Sequence, residues 1–167
     1  MKNSFFMEYV VNEWLPEYFK STNKSDREKL SKFLNCFYCN DDVILVKFSS
    51  PFLSKLFKFA KELRSGNLEK YKPLKRFINT ILLNSNKCKM INEGEYANSV
   101  LPENLIFKLN QGNFESDKYL FETAMLITNN EKIIVTTDKR LIKHVQEISS
   151  FKLIHLDDFL DKYCNNV

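Results

Sequence analysis

The sequence predicts an α/β fold, a three-layer α/β/α sandwich around a central, mainly parallel sheet of four or five strands. Three observations predict it. Short apolar runs such as "VILVKF" and "KIIV" alternate with segments whose apolar residues recur at helical spacing. No repeat, low-complexity stretch or linker interrupts the alternation. Polar residues also gather where the strands end, at Asn12-Glu13, Ser49-Ser50 and Thr136-Thr137-Asp138. Parallel sheets place their sites at that carboxyl edge.

The first strand covers about 4–11, and the helical segment "EWLPEYFK" follows it. In "SDREKLSKFLNCFYC", Ser25 and Glu28 have capping-box spacing, and Leu30, Phe33, Leu34 and Phe37 form one apolar stripe. The second strand is 43–48. The helix after it takes Ser50 as cap, Pro51 at its first position and Gly66 as its stop, with a Leu53, Leu56, Phe57, Ala60, Leu63 stripe. A further helix is expected over 73–83. Residues 84–100 read as a connection holding at most a brief strand, and "LPENLIFKLNQG" as a short helix closed by Gly112. Helix 115–128, strand 132–137, helix 139–147, strand 151–156 and a final helix at "DDFLDKY" complete the chain.

With 167 residues, 44% of them hydrophobic, the chain fills one core, so 1–167 is read as a single domain. No apolar run approaches the ~18 residues of a membrane span. "MKNSFFMEYVV" meets Glu8 and lacks a small-residue cleavage site, so it reads as a strand and not a signal peptide. A cytoplasmic protein without a membrane partner is expected. Cys36 and Cys39 have zinc-ligand spacing, but no second Cys/His pair completes four ligands, and His144 and His155 stand apart. These two cysteines, with Cys88 and Cys164, are read as thiols. Only three glycines are present, in no phosphate-cradling loop, which argues against a nucleotide-binding domain.

The net charge of +4 is unevenly spread. Between Lys55 and Arg76 eight basic residues face two acidic ones, a local +6, which leaves the remainder at −2. Lys55, Lys58 and Arg64 are candidates to follow a phosphate backbone, as are Lys139 and Arg140 after the strand at 132–137. Asp117 precedes the apolar positions Leu120, Phe121, Ala124 and Ile127 by three, four, seven and ten residues. That places its carboxylate on the core-facing side, where it is costly unless paired or bound to a metal. Asp138 closes an apolar strand and can also cap the next helix.

"ESDKYLFETAMLITNNEKIIVTTDKRLIKHV", followed by "FKLIHLDDFL", resembles the C-terminal half of a PIN domain. Asp117, Ala124 and Thr137-Asp138 stand at places of that family's pattern, and "EYVVNEWLPEYF" is similar to its first strand. The resemblance spans most of the chain, with 115–160 as its specific part. It implies a metal-dependent ribonuclease, with toxins of toxin–antitoxin pairs among its relatives. Its acids would hold Mg²⁺ or Mn²⁺ to activate water against a phosphodiester. Asp117, Asp138 and Glu13 are the implied catalytic acids. Asp117, Asp138 and Asn12 are the implied metal ligands, and Ser50, Thr136 and Thr137 line the cleft. The sequence departs from the pattern twice. Asn12 takes the place of the first aspartate, with Glu13 next to it on what a strand makes the other side. "SSPFLSKLFKF" has Ser54 and Lys55 where the family carries a second acid. RNA is the expected partner. A protein such as an antitoxin and a second copy of the chain are the others, and an inactive RNA- or protein-binding module is the competing function.

Overall fold

A computed structural model describes residues 6–96 and 100–165. Five strands, β1 (Glu8–Val11), β2 (Val43–Lys47), β3 (Cys88–Ile91), β4 (Ile133–Thr136) and β5 (Lys152–His155), form one sheet in the order β3-β2-β1-β4-β5. Every neighbouring pair is parallel. Helices cover both faces, giving the three-layer sandwich the sequence predicts. Parallel pairing requires a crossover between successive strands, and the helices supply these. They are α1 (Trp14–Lys20), α2 (Lys24–Cys39), α3 (Pro51–Gly66), α4 (Leu68–Phe77), α5 (Glu93–Tyr96), α6 (Glu103–Gln111), α7 (Lys118–Ala124), α8 (Lys139–Val145) and α9 (Leu156–Tyr163).

The central strand β1 is buried along its whole length. The Tyr9 ring meets Phe33 and Phe37 of α2 and Phe159 of α9 edge-on, a geometry that aromatic quadrupoles favour. Helix α7 packs across β1, β2 and β4. Among the described residues no helix is long and apolar enough to cross a membrane.

Local chemistry explains where the elements begin. Ser50 caps α3 by accepting from the Leu53 amide at 3.3 Å, with Pro51 at the first position. Helix α2 begins earlier than expected because Asn23, not Ser25, is its cap, accepting from the Ser25 amide at 2.8 Å. The helix expected over 73–83 starts at Leu68, where Asn67 accepts from the Lys70 amide at 3.1 Å. Pro73 therefore lies inside it, and a π turn (Ile78–Leu82) prolongs it. The brief strand inside 84–100 is the edge strand β3; residues 97–99 of that connection, and residues 4 and 5 of the expected first strand, lie outside the described residues. Helix 115–128 is shorter than its stripe suggested: a 3-10 turn (Glu115–Asp117) leads into α7, which ends at Ala124. Phe57 leaves the apolar stripe of α3, with half of its surface exposed, while Leu53, Leu56 and Leu63 are buried.

The cysteines also differ from expectation. Cys36 and Cys164 form a disulfide, their Cα atoms 5.4 Å apart, and Cys39 and Cys88 are free. On α2, Cys36 is buried and Cys39 exposed, so the zinc-like spacing does not act as a unit.

At the opposite end of the sheet from the strand tips, buried Asp42 accepts from the Met7 amide at 3.1 Å. Burial pushes its carboxyl up to about 6. The folded state thus prefers the neutral form, and stability falls as pH rises from about 4 through 6. Asp42→Asn, which retains the acceptor, is expected to stabilise the protein by about 1–3 kcal/mol at pH 8 and by almost nothing at pH 4. Urea titrations at the two pH values measure this, and an equal change at both would contradict it.

Candidate active site

The strand register brings the polar tips together. Val11 pairs with Val135, so Asn12 stands beside Thr136. The Asn12 amide donates to the Val135 carbonyl at 3.1 Å. Its side-chain Nδ2 donates to Thr136 Oγ1 at 3.1 Å, and its Oδ1 accepts from the Glu13 amide at 2.6 Å. Both ends of the carboxamide are thereby engaged in tying the β1 tip to the β4 tip and to the start of α1. Thr136 Oγ1 also accepts from the Asp138 amide at 3.1 Å. Asp138 then caps α8, its Oδ1 accepting from the amides of Arg140 at 2.8 Å and Leu141 at 3.0 Å. Thr137 is half-buried between them.

Asp117 enters from the 3-10 turn ahead of α7. It is half-buried, and burial, then the charges of Asp138 and Glu13, push its carboxyl up to about 6. Asp138 and Glu13 thus both lie within electrostatic reach of Asp117. No described residue donates a hydrogen bond to the Asp117 carboxylate or neutralises it. An uncompensated, partly buried carboxylate crowded by two others is a place that a hard cation would relieve. The oxygen donors of Glu13, Asp117 and Asp138 suit Mg²⁺ or Mn²⁺ in type. Among the described residues, no group of three His, Cys, Asp or Glu side chains forms a ready metal-holding cluster.

Glu13 faces this cleft, although strand alternation placed it on the other side. Strand pairing stops at Val11 and α1 starts at Trp14, and Glu13 has helical torsion angles. Alternation between faces therefore no longer applies. Its Oε2 accepts from the Tyr119 hydroxyl at 3.4 Å, and its Oε1 lies 2.9 Å from Lys55 Nζ. Lys55 also reaches Glu17 Oε1 at 2.6 Å. Burial opposes the lysine charge, but bonds to Glu17 and Glu13 outweigh it and raise the Lys55 pKa. Burial, then the charges of Glu13 and Asp117, raise the Tyr119 pKa and keep its hydroxyl protonated.

The remaining expected residues divide. Lys58, Arg64, Lys139 and Arg140 are exposed, and the Arg140 guanidinium lies 5.7 Å from the centre of the Phe114 ring. Lys55 is instead drawn into the cleft by its two glutamates. Ser50 is buried as the cap of α3. Sequence reasoning missed Tyr119 and Glu17. Their signals were modest: Glu17 lies one turn after Glu13 on α1, and Tyr119 lies two residues after Asp117. A surface depression of about 390 Å³ lies along α1, lined by Glu17, Tyr18, Lys20, Ser21, Asp26 and Phe59, and of these Glu17 alone belongs to the cleft network. It gathers no comparable set of crowded acids.

Comparison with protein-family models, with curated proteins and with solved structures finds no match for this chain.

Proposed function

We propose that the protein is a PIN-like, divalent-metal-dependent ribonuclease whose acids are Asp117, Asp138 and Glu13. The observation that carries this reading is the crowding of Glu13 and Asp138 around the uncompensated Asp117 carboxylate at the carboxyl edge of an all-parallel sheet. Asp117, Asp138 and Glu13 would hold Mg²⁺ or Mn²⁺, which when bound supplies an activated water and neutralises charge on the phosphate. Asn12 and Thr136 act as positioning residues by fixing the two strand tips together. Asp138 caps α8 through Oδ1, so its Oδ2 would be the ligand. The exposed Lys58, Arg64, Lys139 and Arg140 supply charge for the RNA backbone.

Purified protein is expected to cleave single-stranded RNA with Mn²⁺ or Mg²⁺ and to stop on chelation. Asn12→Asp should tighten Mn²⁺ binding severalfold, since it adds a carboxylate beside the acids while Thr136 can donate to it in turn. An unchanged metal titration would place position 12 outside the site. Reversing Lys58, Arg64 and Lys61, an exposed lysine between them on α3, to glutamate should lower the log–log salt slope of RNA binding by about 2–3. An unaltered slope would remove this face from the RNA path.

A second reading is favoured by two specific observations. Asn12 is neutral, and Lys55 occupies the cleft at places where the resembled family carries acids. On that reading the protein binds RNA without cutting it, and chelator-insensitive binding with no cleavage would select it.

A further inference from the structure

Among the described residues, Lys55 is the cation ion-paired with an acid of the cleft, and it is paired with a second acid as well. The cap at Ser50 fixes the start of α3 and sends Lys55 toward the β1–α1 junction. There its ammonium is shared between Glu13 at 2.9 Å and Glu17 at 2.6 Å. The two glutamates are four residues apart on one face of α1. Glu13 belongs to the cleft through Tyr119 and through its effect on Asp117. Glu17 is about half exposed. The ammonium therefore has two acceptors, one inside the cleft and one at its rim.

We propose that Lys55 is a tethered counter-ion that competes with a divalent cation for Glu13, and so couples cation binding to the arrival of an RNA phosphate. The inference rests on the metal-dependent reading above. While Lys55 holds Glu13, it reduces that carboxylate's attraction for a cation and repels any cation approaching Asp117. When the ammonium passes wholly to Glu17, Glu13 is released to the acids. A phosphate at the rim offers Lys55 a further anion and favours the same release. Cation and RNA backbone then bind with positive coupling, and the coupling is reciprocal. Glu17 in this arrangement is a positioning residue, acting on the site only through Lys55.

The test is Mn²⁺ titration of the full chain by calorimetry, with and without a short oligodeoxythymidylate as a phosphate-bearing probe. Lys55→Met is expected to bind Mn²⁺ roughly tenfold more tightly than the unaltered protein, because a neighbouring positive charge is gone. Glu17→Gln should shift affinity the other way, weakening it severalfold, since Lys55 is then left on Glu13 alone. The oligonucleotide should tighten Mn²⁺ binding to the unaltered protein and leave Lys55→Met unmoved. Loss of a positive or a negative charge shifts affinity in opposite directions even for a bystander ion pair, so the deciding result is the oligonucleotide effect, and an equal effect in Lys55→Met overturns the proposal. Melting curves check that both are folded, and Lys55→Gln replaces Lys55→Met if the latter is not. Mn²⁺ binding that is equal in all variants, or shifted in one direction by both, overturns the role of Lys55 alone. Absence of Mn²⁺ binding in every variant overturns the metal-dependent reading with it.

Discussion

Asp117→Asn is expected to lower Mn²⁺-dependent RNA cleavage on the order of 100-fold or more while making the fold more stable at pH 8. Both effects have one source. The Asp117 carboxyl titrates at about 6 because it is half-buried and faces Asp138 and Glu13. A folded-state pKa above the unfolded value means the folded protein prefers the protonated acid. The penalty is absent below about pH 4, grows through pH 6 and is complete above it. Asparagine cannot ionise, so the variant gains about 1–3 kcal/mol at pH 8 and nearly nothing at pH 4. Denaturant midpoints at the two pH values, beside a cleavage assay, give both results. A variant that is equally stable at pH 8 would contradict both the burial of the Asp117 carboxylate and its crowding by the other two acids. A variant that still cuts RNA would remove it from the chemistry.

Trp14→Ala should cost about 3–5 kcal/mol, which approaches the whole stability of a marginal domain. Trp14 is 2% exposed, and its Nε1 donates to the Val135 carbonyl at 3.1 Å in the buried interior. Its ring stands edge-on to Phe33 and Tyr18 at 5.2 and 5.4 Å. The side chain thus fastens the start of α1 to β4 immediately behind Asn12 and Glu13. Trp14→Phe keeps much of the packing and should cost only about 1–2 kcal/mol, because the Val135 carbonyl still accepts from the Asn12 amide. Urea unfolding followed by far-ultraviolet circular dichroism separates the two. A loss under about 1 kcal/mol in the alanine variant would contradict the buried placement.

The fold was legible where local pattern and tertiary need coincide. Strands expected at 43–48, 132–137 and 151–156 appear at Val43–Lys47, Ile133–Thr136 and Lys152–His155, because apolar runs bounded by caps have few alternatives. The convergence of Asn12 and Thr136 at one edge followed from parallel connectivity alone. Less visible was β3, in which only Cys88 and Ile91 are buried, too short a pattern to separate from a loop. Glu13 was misplaced because a period of two was carried one step past the end of the strand. Lys55 belonged to a basic run by count, yet its partners lie about forty residues away in sequence, beyond the reach of any local pattern. The Cys36–Cys164 bridge, spanning 128 residues, was hidden for the same reason.

That bridge divides the molecule topologically. Residues 36–164 form a covalent ring that contains β2, β3, β4 and β5, together with Lys55, Asp117 and Asp138. The central strand β1 stands outside it, on an N-terminal tail with Asn12, Glu13 and Glu17. The bridge restricts the unfolded ring, but it does not tether β1 into its slot. That strand is inserted between β2 and β4 by pairing and packing alone. The proposed site is consequently a two-part assembly, with the ring as one half and the tail as the other. In this arrangement the strand that completes the acidic cleft is also the one that completes the sheet.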